Sequence, residues 1–241
     1  MIREGEGPEI LLVHGGASPE ATWSALAHLR ERWTLEFVHR RGYPPSPPPS
    51  EGRQDFEIDA TDLSPLLVSN PHVLAHSYGA LGALIAAARS PEHVRSLVII
   101  EPPLYYLVPG DREVDRLRRI GNAVLTDGLD ADAGTLREFL HLAGAPGVDD
   151  GPLPEGVAHG VRRAQGGRLP DEARPALGVL REAGIPSLVA SGDHSASIER
   201  ICDELAVALD SERLVAPGAG HFVAAAPGFA ERLERFLLSV D

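Results

Sequence analysis

Ala75-His76-Ser77-Tyr78-Gly79 stands between the apolar run Pro71-His72-Val73-Leu74 and the run Ala80 to Ala88. A short apolar tetrad bounded by proline suits a buried strand, and Leu81, Leu84, Ile85 and Ala88 recur at helical spacing. The pentad therefore predicts a strand-to-helix turn with a serine at its apex. On so sharp a turn the hydroxyl is pushed up from the sheet, and small residues must flank it because strand and helix backbones pass close together. Ala75 and Gly79 fill those positions, so Ser77 reads as the serine of a nucleophile elbow. In a chain rich in alanine and glycine such a pentad also arises by chance, and its surroundings must support the reading.

Upstream, Glu9-Ile10-Leu11-Leu12-Val13 predicts a strand that ends in His14-Gly15-Gly16-Ala17, with Ser18-Pro19 as cap and first turn of a helix. Glycines after a buried strand let backbone amides turn toward a ligand, so the amides of Gly16 and Tyr78 are the candidate oxyanion-hole donors. The plainer alternative for Gly15-Gly16 is a tight turn. Trp33 to Val38 reads as the next strand, and the proline-rich segment from Arg40 to Ser50 as a stiff surface loop near the pocket mouth. Asp55 to Val68 suggests a helix that Pro65 kinks or shortens.

Downstream, Ser96-Leu97-Val98-Ile99-Ile100 predicts a central strand buried on both faces, with Glu101 at its carboxyl end and Pro102-Pro103 fixing the exit. That edge is where open α/β sheets place ligands. No strand signal appears from Leu104 to Arg168. Helical patches at Arg112 to Thr126 and Ala133 to Leu142 are broken by Gly144, Pro146, Gly147, Pro152 and Pro154, which suggests an inserted helical cap. Tyr105, Tyr106, Leu107, Phe139 and Leu142 are candidates for its apolar underside or for its own core. Pro170 to Ala183 then predicts a helix, Pro186 to Ser191 a strand, Ala196 to Leu209 a helix and Ser211 to Ala216 a last strand. A glycine-rich loop, Pro217 to Phe222, leads to a closing helix with Phe229, Leu233, Phe236, Leu237 and Val240 on one stripe. Six strand signals alternating with helices imply an α/β fold: a mainly parallel sheet of about six or more strands, helices on both faces, core over 1–103 and 169–241, cap over 104–168.

Composition narrows the chemistry. With 241 residues, 43% hydrophobic and 24% charged, the chain suits one soluble globular core. A net charge of −13, spread along the chain, opposes nucleic-acid binding. All 22 basic residues are arginine, so no lysine is available as base or Schiff-base amine. Cys202 is the only cysteine, which excludes an internal disulfide and a cysteine metal cluster. No window approaches the ~18 apolar residues of a membrane span, and no signal core opens the chain, so a cytoplasmic location is expected. No His/Asp/Glu pair falls at helical metal-ligand spacing, so neither metal nor cofactor is expected. Homo-oligomer formation is left open.

His14-Gly15-Gly16 after the first strand, the elbow at Ser77, the cap after Glu101 and Gly218-Ala219-Gly220-His221 near the end together resemble the α/β-hydrolase superfamily over nearly the whole chain. Its usual first antiparallel hairpin is missing here or reduced to Met1 to Gly7. The resemblance implies a catalytic serine at Ser77 and a general base at His221, in a loop that brings it over the sheet edge. His14 and His76 then read as structural or pocket-lining. The acid departs from the commoner pattern, because the Gly-x-x-Asp turn after the penultimate strand reads Gly192-Asp193-His194-Ser195. Glu101 and Asp193 are the candidates. Glu101 is favoured, since an unpaired carboxylate at a buried sheet end is costly, and its placement resembles the acid of zearalenone-type lactone hydrolases and some haloalkane dehalogenases. A serine nucleophile directs the expectation to acyl transfer: hydrolysis of an ester or lactone of a small to mid-sized hydrophobic substrate. A C–C bond hydrolase, thioesterase or perhydrolase would use the same residues, and a ligand-binding protein on a retired scaffold is the non-enzyme alternative.

Overall fold

The structure, a computed structural model, describes residues 1–240. Seven strands run β1 (Ile2–Glu4), β2 (Glu9–Val13), β3 (Thr34–Val38), β4 (His72–His76), β5 (Ser96–Ile100), β6 (Ser187–Ser191) and β7 (Glu212–Val215). They form one sheet in the order β1-β3-β2-β4-β5-β6-β7. All pairings are parallel except β1 with β3, where Ile2 faces Phe37 and Glu4 faces Leu35. The reduced hairpin is thus a three-residue edge strand. It gave no sequence signal because Ile-Arg-Glu is too short and too polar to alternate.

The helices are α1 (Pro19–Trp23), α2 (Phe56–Leu63), α3 (Gly79–Arg89), α4 (Arg112–Asp127), α5 (Ala133–Leu142), α6 (Glu155–Ala164), α7 (Leu177–Glu182), α8 (Ala196–Leu209) and α9 (Phe229–Val240). Side chains alternate across the sheet, as the pleat requires. Leu11, Val13, Val73, Ala75, Leu97, Ile99 and Val189 pack on one face against α2, α3, α7 and α8. Ile10, Leu12, Leu74, Val98, Ile100, Leu188 and Ala190 pack on the other with Trp23 of α1 and Phe229, Leu233 and Phe236 of α9. Both faces are covered, which is why β4 and β5 are buried at every position.

Between β5 and α7 lie α4, α5 and α6, which share a separate cluster of Val124, Ala131, Leu136, Leu140, Val148 and Val161. Val114 and Leu117 of α4, together with Tyr105, Tyr106, Leu107 and Leu142, pack on the sheet's own core, whereas Phe139 packs within the separate cluster. Gly144, Pro146, Gly147, Pro152 and Pro154 all lie between α5 and α6, outside any helix, and Pro154 is the residue before α6, a helix the sequence reading did not single out. The helix expected over 170–183 is shorter, a 3-10 turn at Pro170–Glu172 followed by α7. Pro175 pushes the residue before it out of helical backbone. Likewise α2 gives way after Leu63 to a 3-10 segment, Ser64–Ser69, that contains Pro65.

Candidate active site

The elbow forms as its sequence predicts. β4 ends at His76, and α3 begins at Gly79, so the reversal occurs within Ser77 and Tyr78. Ser77 takes a left-handed φ of 52°, unusual for a residue with a side chain, and its amide hydrogen bonds the Ile100 carbonyl at 2.8 Å. The helix start lies so close to the end of the neighbouring strand β2 that a Cβ at position 79 would stand 2.1 Å from the His14 carbonyl oxygen. A Cβ at Gly15 would meet that of Ser77 at 2.7 Å, which places the loop after β2 directly against the serine.

That loop is held by residues the sequence left unnoticed. Arg40, 3% exposed, pairs with Asp59 at 2.7 Å and donates to Gln54 Oε1 and to the Gly15 carbonyl, each at 2.9 Å. His14 accepts from the Arg40 amide through Nε2 at 3.2 Å, so its Nδ1–H donates to the Gly15 carbonyl at 3.0 Å. Burial, then the Arg40 charge, lowers the His14 pKa well below its ordinary value and keeps the ring neutral. In a trans peptide N–H and C=O point in opposite directions. Fixing the Gly15 carbonyl toward Arg40 therefore turns the Gly16 amide the other way. Tyr43 pins the next carbonyl, its hydroxyl donating to Gly16 O at 2.7 Å.

Glu101 follows β5, the strand beside the elbow, with φ 46° and its amide on the Ala190 carbonyl at 3.2 Å. Its side chain is buried, and Oε2 accepts from His221 Nδ1 at 2.6 Å. Oε1 accepts from the Gly192 amide at 2.7 Å and lies 3.4 Å from His194 Nδ1. Burial works to raise the Glu101 pKa, but the imidazoles of His194 and His221 facing the carboxylate outweigh it and hold the group down at about 2. In turn Glu101 raises the pKa of His194. His76 anchors the histidine loop, its Nε2–H donating to the His221 carbonyl at 2.9 Å, and burial lowers its own pKa to about 3. Asp193 is exposed, and its amide is held by Glu199 at 3.0 Å.

Ser77 and Glu101 thus follow the neighbouring strands β4 and β5, and the loop after β7 brings His221 onto Glu101. The family model that matches residues 10–232 is described as "Alpha/beta hydrolase family". The chain belongs to the alpha/beta hydrolase family. This hydrolase is 29% identical to 2-(acetamidomethylene)succinate hydrolase of Mesorhizobium japonicum, over 92% of the chain and 84% of that protein. It is 32% identical to pimeloyl-[acyl-carrier protein] methyl ester esterase of Methylococcus capsulatus, over 75% of the chain and 70% of that protein. Among solved structures it resembles an alpha/beta hydrolase from Sphaerobacter thermophilus, with a TM-score of 0.65, 25% identity, and coverage of 98% and 95%. No helix of the hydrolase is long and apolar enough to cross a membrane among the described residues.

Of the two carboxylates weighed as acid, the hydrolase fold brings Glu101, not Asp193, to His221. His194, passed over in the sequence, joins them, so Glu101, His194 and His221 place ligand-type atoms within 4.8 Å of one another. Helical spacing did not reveal that set, because its members come from three separate loops.

Proposed function

We propose that this chain is a serine hydrolase that cleaves a carboxylic ester or lactone of a small to mid-sized hydrophobic substrate through an acyl-enzyme. The observation that carries the reading is the 2.6 Å contact between His221 Nδ1 and the buried Glu101 carboxylate, beside a serine held in left-handed backbone at the elbow. Glu101 fixes the tautomer with hydrogen on Nδ1, which leaves the lone pair of Nε2 as base. Ser77 Oγ attacks the carbonyl carbon as His221 takes its proton. The amides of Gly16 and Tyr78 receive the oxyanion, each worth ~3 kcal/mol in the barrier. Collapse expels the alcohol, which takes the proton from His221. Water then attacks the acyl-enzyme by the same base and releases the acid.

Residues 104–168 act as a cap in this account. Support comes from their separate apolar cluster and from the 3.1 Å hydrogen bond of His194 Nε2–H to the Leu142 carbonyl, which ties α5 to the site. The named relatives, a 2-(acetamidomethylene)succinate hydrolase and a pimeloyl-[acyl-carrier protein] methyl ester esterase, support hydrolysis as the reaction. A fluorophosphonate probe tests the reading. Wild type is expected to be labelled at Ser77, and Ser77→Ala to remain folded and unlabelled. Labelling that persists in Ser77→Ala overturns the assignment, and an unlabelled wild type favours a binding protein.

A further inference from the structure

His194 carries an unexplained atom. Its Nε2–H donates to the Leu142 carbonyl at 3.1 Å, so in the neutral ring the lone pair sits on Nδ1. That Nδ1 is buried, has no hydrogen-bond partner, and stands 3.4 Å from Glu101 Oε1. With a proton on Nδ1 the two form an imidazolium–carboxylate contact; without it, a lone pair and a carboxylate oxygen face each other 3.4 Å apart, an arrangement that suits a cation between them. On the other carboxylate oxygen, His221 presents its own Nδ1 at 2.6 Å.

We infer that Glu101, His194 and His221 form a binding site for a divalent transition metal of the zinc class, and that its occupancy switches the hydrolase off. Two imidazoles and a carboxylate are a usual donor set for zinc, with a fourth position left to water. Bonds of about 2.0–2.1 Å in a tetrahedron put neighbouring donor atoms about 3.4 Å apart. His194 Nδ1 stands at that spacing from Oε1, 3.4 Å, while His221 Nδ1 lies 2.6 Å from Oε2, and donor atoms of all three residues lie within 4.8 Å of one another. The Leu142 carbonyl on the far nitrogen of His194 supplies the outer hydrogen bond that orients metal-ligating histidines. Access is from the imidazole side, since those side chains are 17% and 12% exposed while that of Glu101 is 0% exposed.

Inhibition follows from the tautomer and rests on the reading of His221 as base. A bond forms between the metal and His221 Nδ1, and the Nδ1–H bond breaks. The displaced proton is taken up on Nε2, so no lone pair remains to accept the proton of Ser77. The ion in effect takes the place of the hydrogen that Glu101 holds.

The test titrates the protein with zinc chloride against a chromophoric chelator, and in parallel measures p-nitrophenyl ester turnover. Wild type is expected to bind one equivalent, to lose turnover over the same zinc range, and to recover it with EDTA. His194→Asn and His194→Gln are expected to bind at least about tenfold more weakly, and each to keep its own zinc-free rate at concentrations that silence wild type. Ser77→Ala, which keeps all three ligands, is expected to bind as wild type does. His141→Asn, which removes the exposed pair with Asp149, is also expected to bind unchanged. Absent binding, equal binding by the folded His194 variants, or loss of binding in His141→Asn overturns the site. Zinc binding by a wild type that hydrolyses nothing leaves the site standing and overturns the triad reading instead.

Discussion

At Ser77 and Glu101 the backbone φ is 52° and 46°, a region that costs a residue with a Cβ roughly 1–2 kcal/mol. In this backbone each residue turns off the end of its strand, and the Glu101 side chain reaches His221. Ser77→Gly is therefore expected to raise the melting temperature, by a stabilisation of up to about 1 kcal/mol, while ester turnover disappears. A lower melting temperature in that variant contradicts the strain argument. Arg40 acts through the loop it holds. Arg40→Met leaves Asp59 buried without its partner, an effect of about 3–5 kcal/mol by urea unfolding. Arg40→Lys keeps the charge but lacks the planar fork that reaches Asp59, Gln54 and Gly15 together. It is expected to fold and to lower kcat more than it raises KM, since the oxyanion amide binds tightest in the transition state. Ser77 and His221 were legible because each sits in a local pattern of glycines and apolar runs. Arg40 and His194 were not, because their partners are assembled only by the fold.

Among the elements, α3 shows how far composition sets geometry. Its Ala- and Gly-rich sequence lets its first residue, Gly79, lie directly against the His14 carbonyl at the end of β2. Gly79→Ala puts a Cβ at 2.1 Å from that oxygen, so the elbow must move, and a loss of about 3 kcal/mol or more is expected by denaturant unfolding. The carboxyl end of β5 carries the pH dependence. The Glu101 pKa is depressed in the folded state, so its contribution is complete above the ordinary carboxylate value near 4.5 and fades as pH falls toward about 2. Over that window wild type is expected to lose on the order of 3 kcal/mol from this group. Glu101→Gln is expected to show a correspondingly shallower fall in acid titrations of stability, and an unchanged slope contradicts the depressed pKa. Strand and helix identities from β2 to β5 followed from apolar runs and turn residues. Beyond 154, α6 was not singled out, and Pro175 splits what looked like one helix over 170–183.

Across the molecule, two apolar layers share the sheet, and a third cluster joins α4, α5 and α6 with Ala131 and Val148 of the segments between them. A small cluster held apart from the main core opens more readily. Amides of β4 and β5 are expected to be the slowest in hydrogen exchange, with those of α5 and α6 markedly faster; equal protection contradicts an independently moving cap. The parallel, doubly covered sheet was legible in the alternation of strand and helix signals. Glu101 was favoured over Asp193 as the acid, but both follow strands, and the three-dimensional path of the His221 loop is what distinguishes them. Ester turnover by wild type, Glu101→Gln and Asp193→Asn, with folding checked by circular dichroism, tests the central claim most directly. The predicted result is a fall in kcat of roughly 10³–10⁴ in Glu101→Gln, with Asp193→Asn close to wild type; collapse in Asp193→Asn with Glu101→Gln active contradicts it.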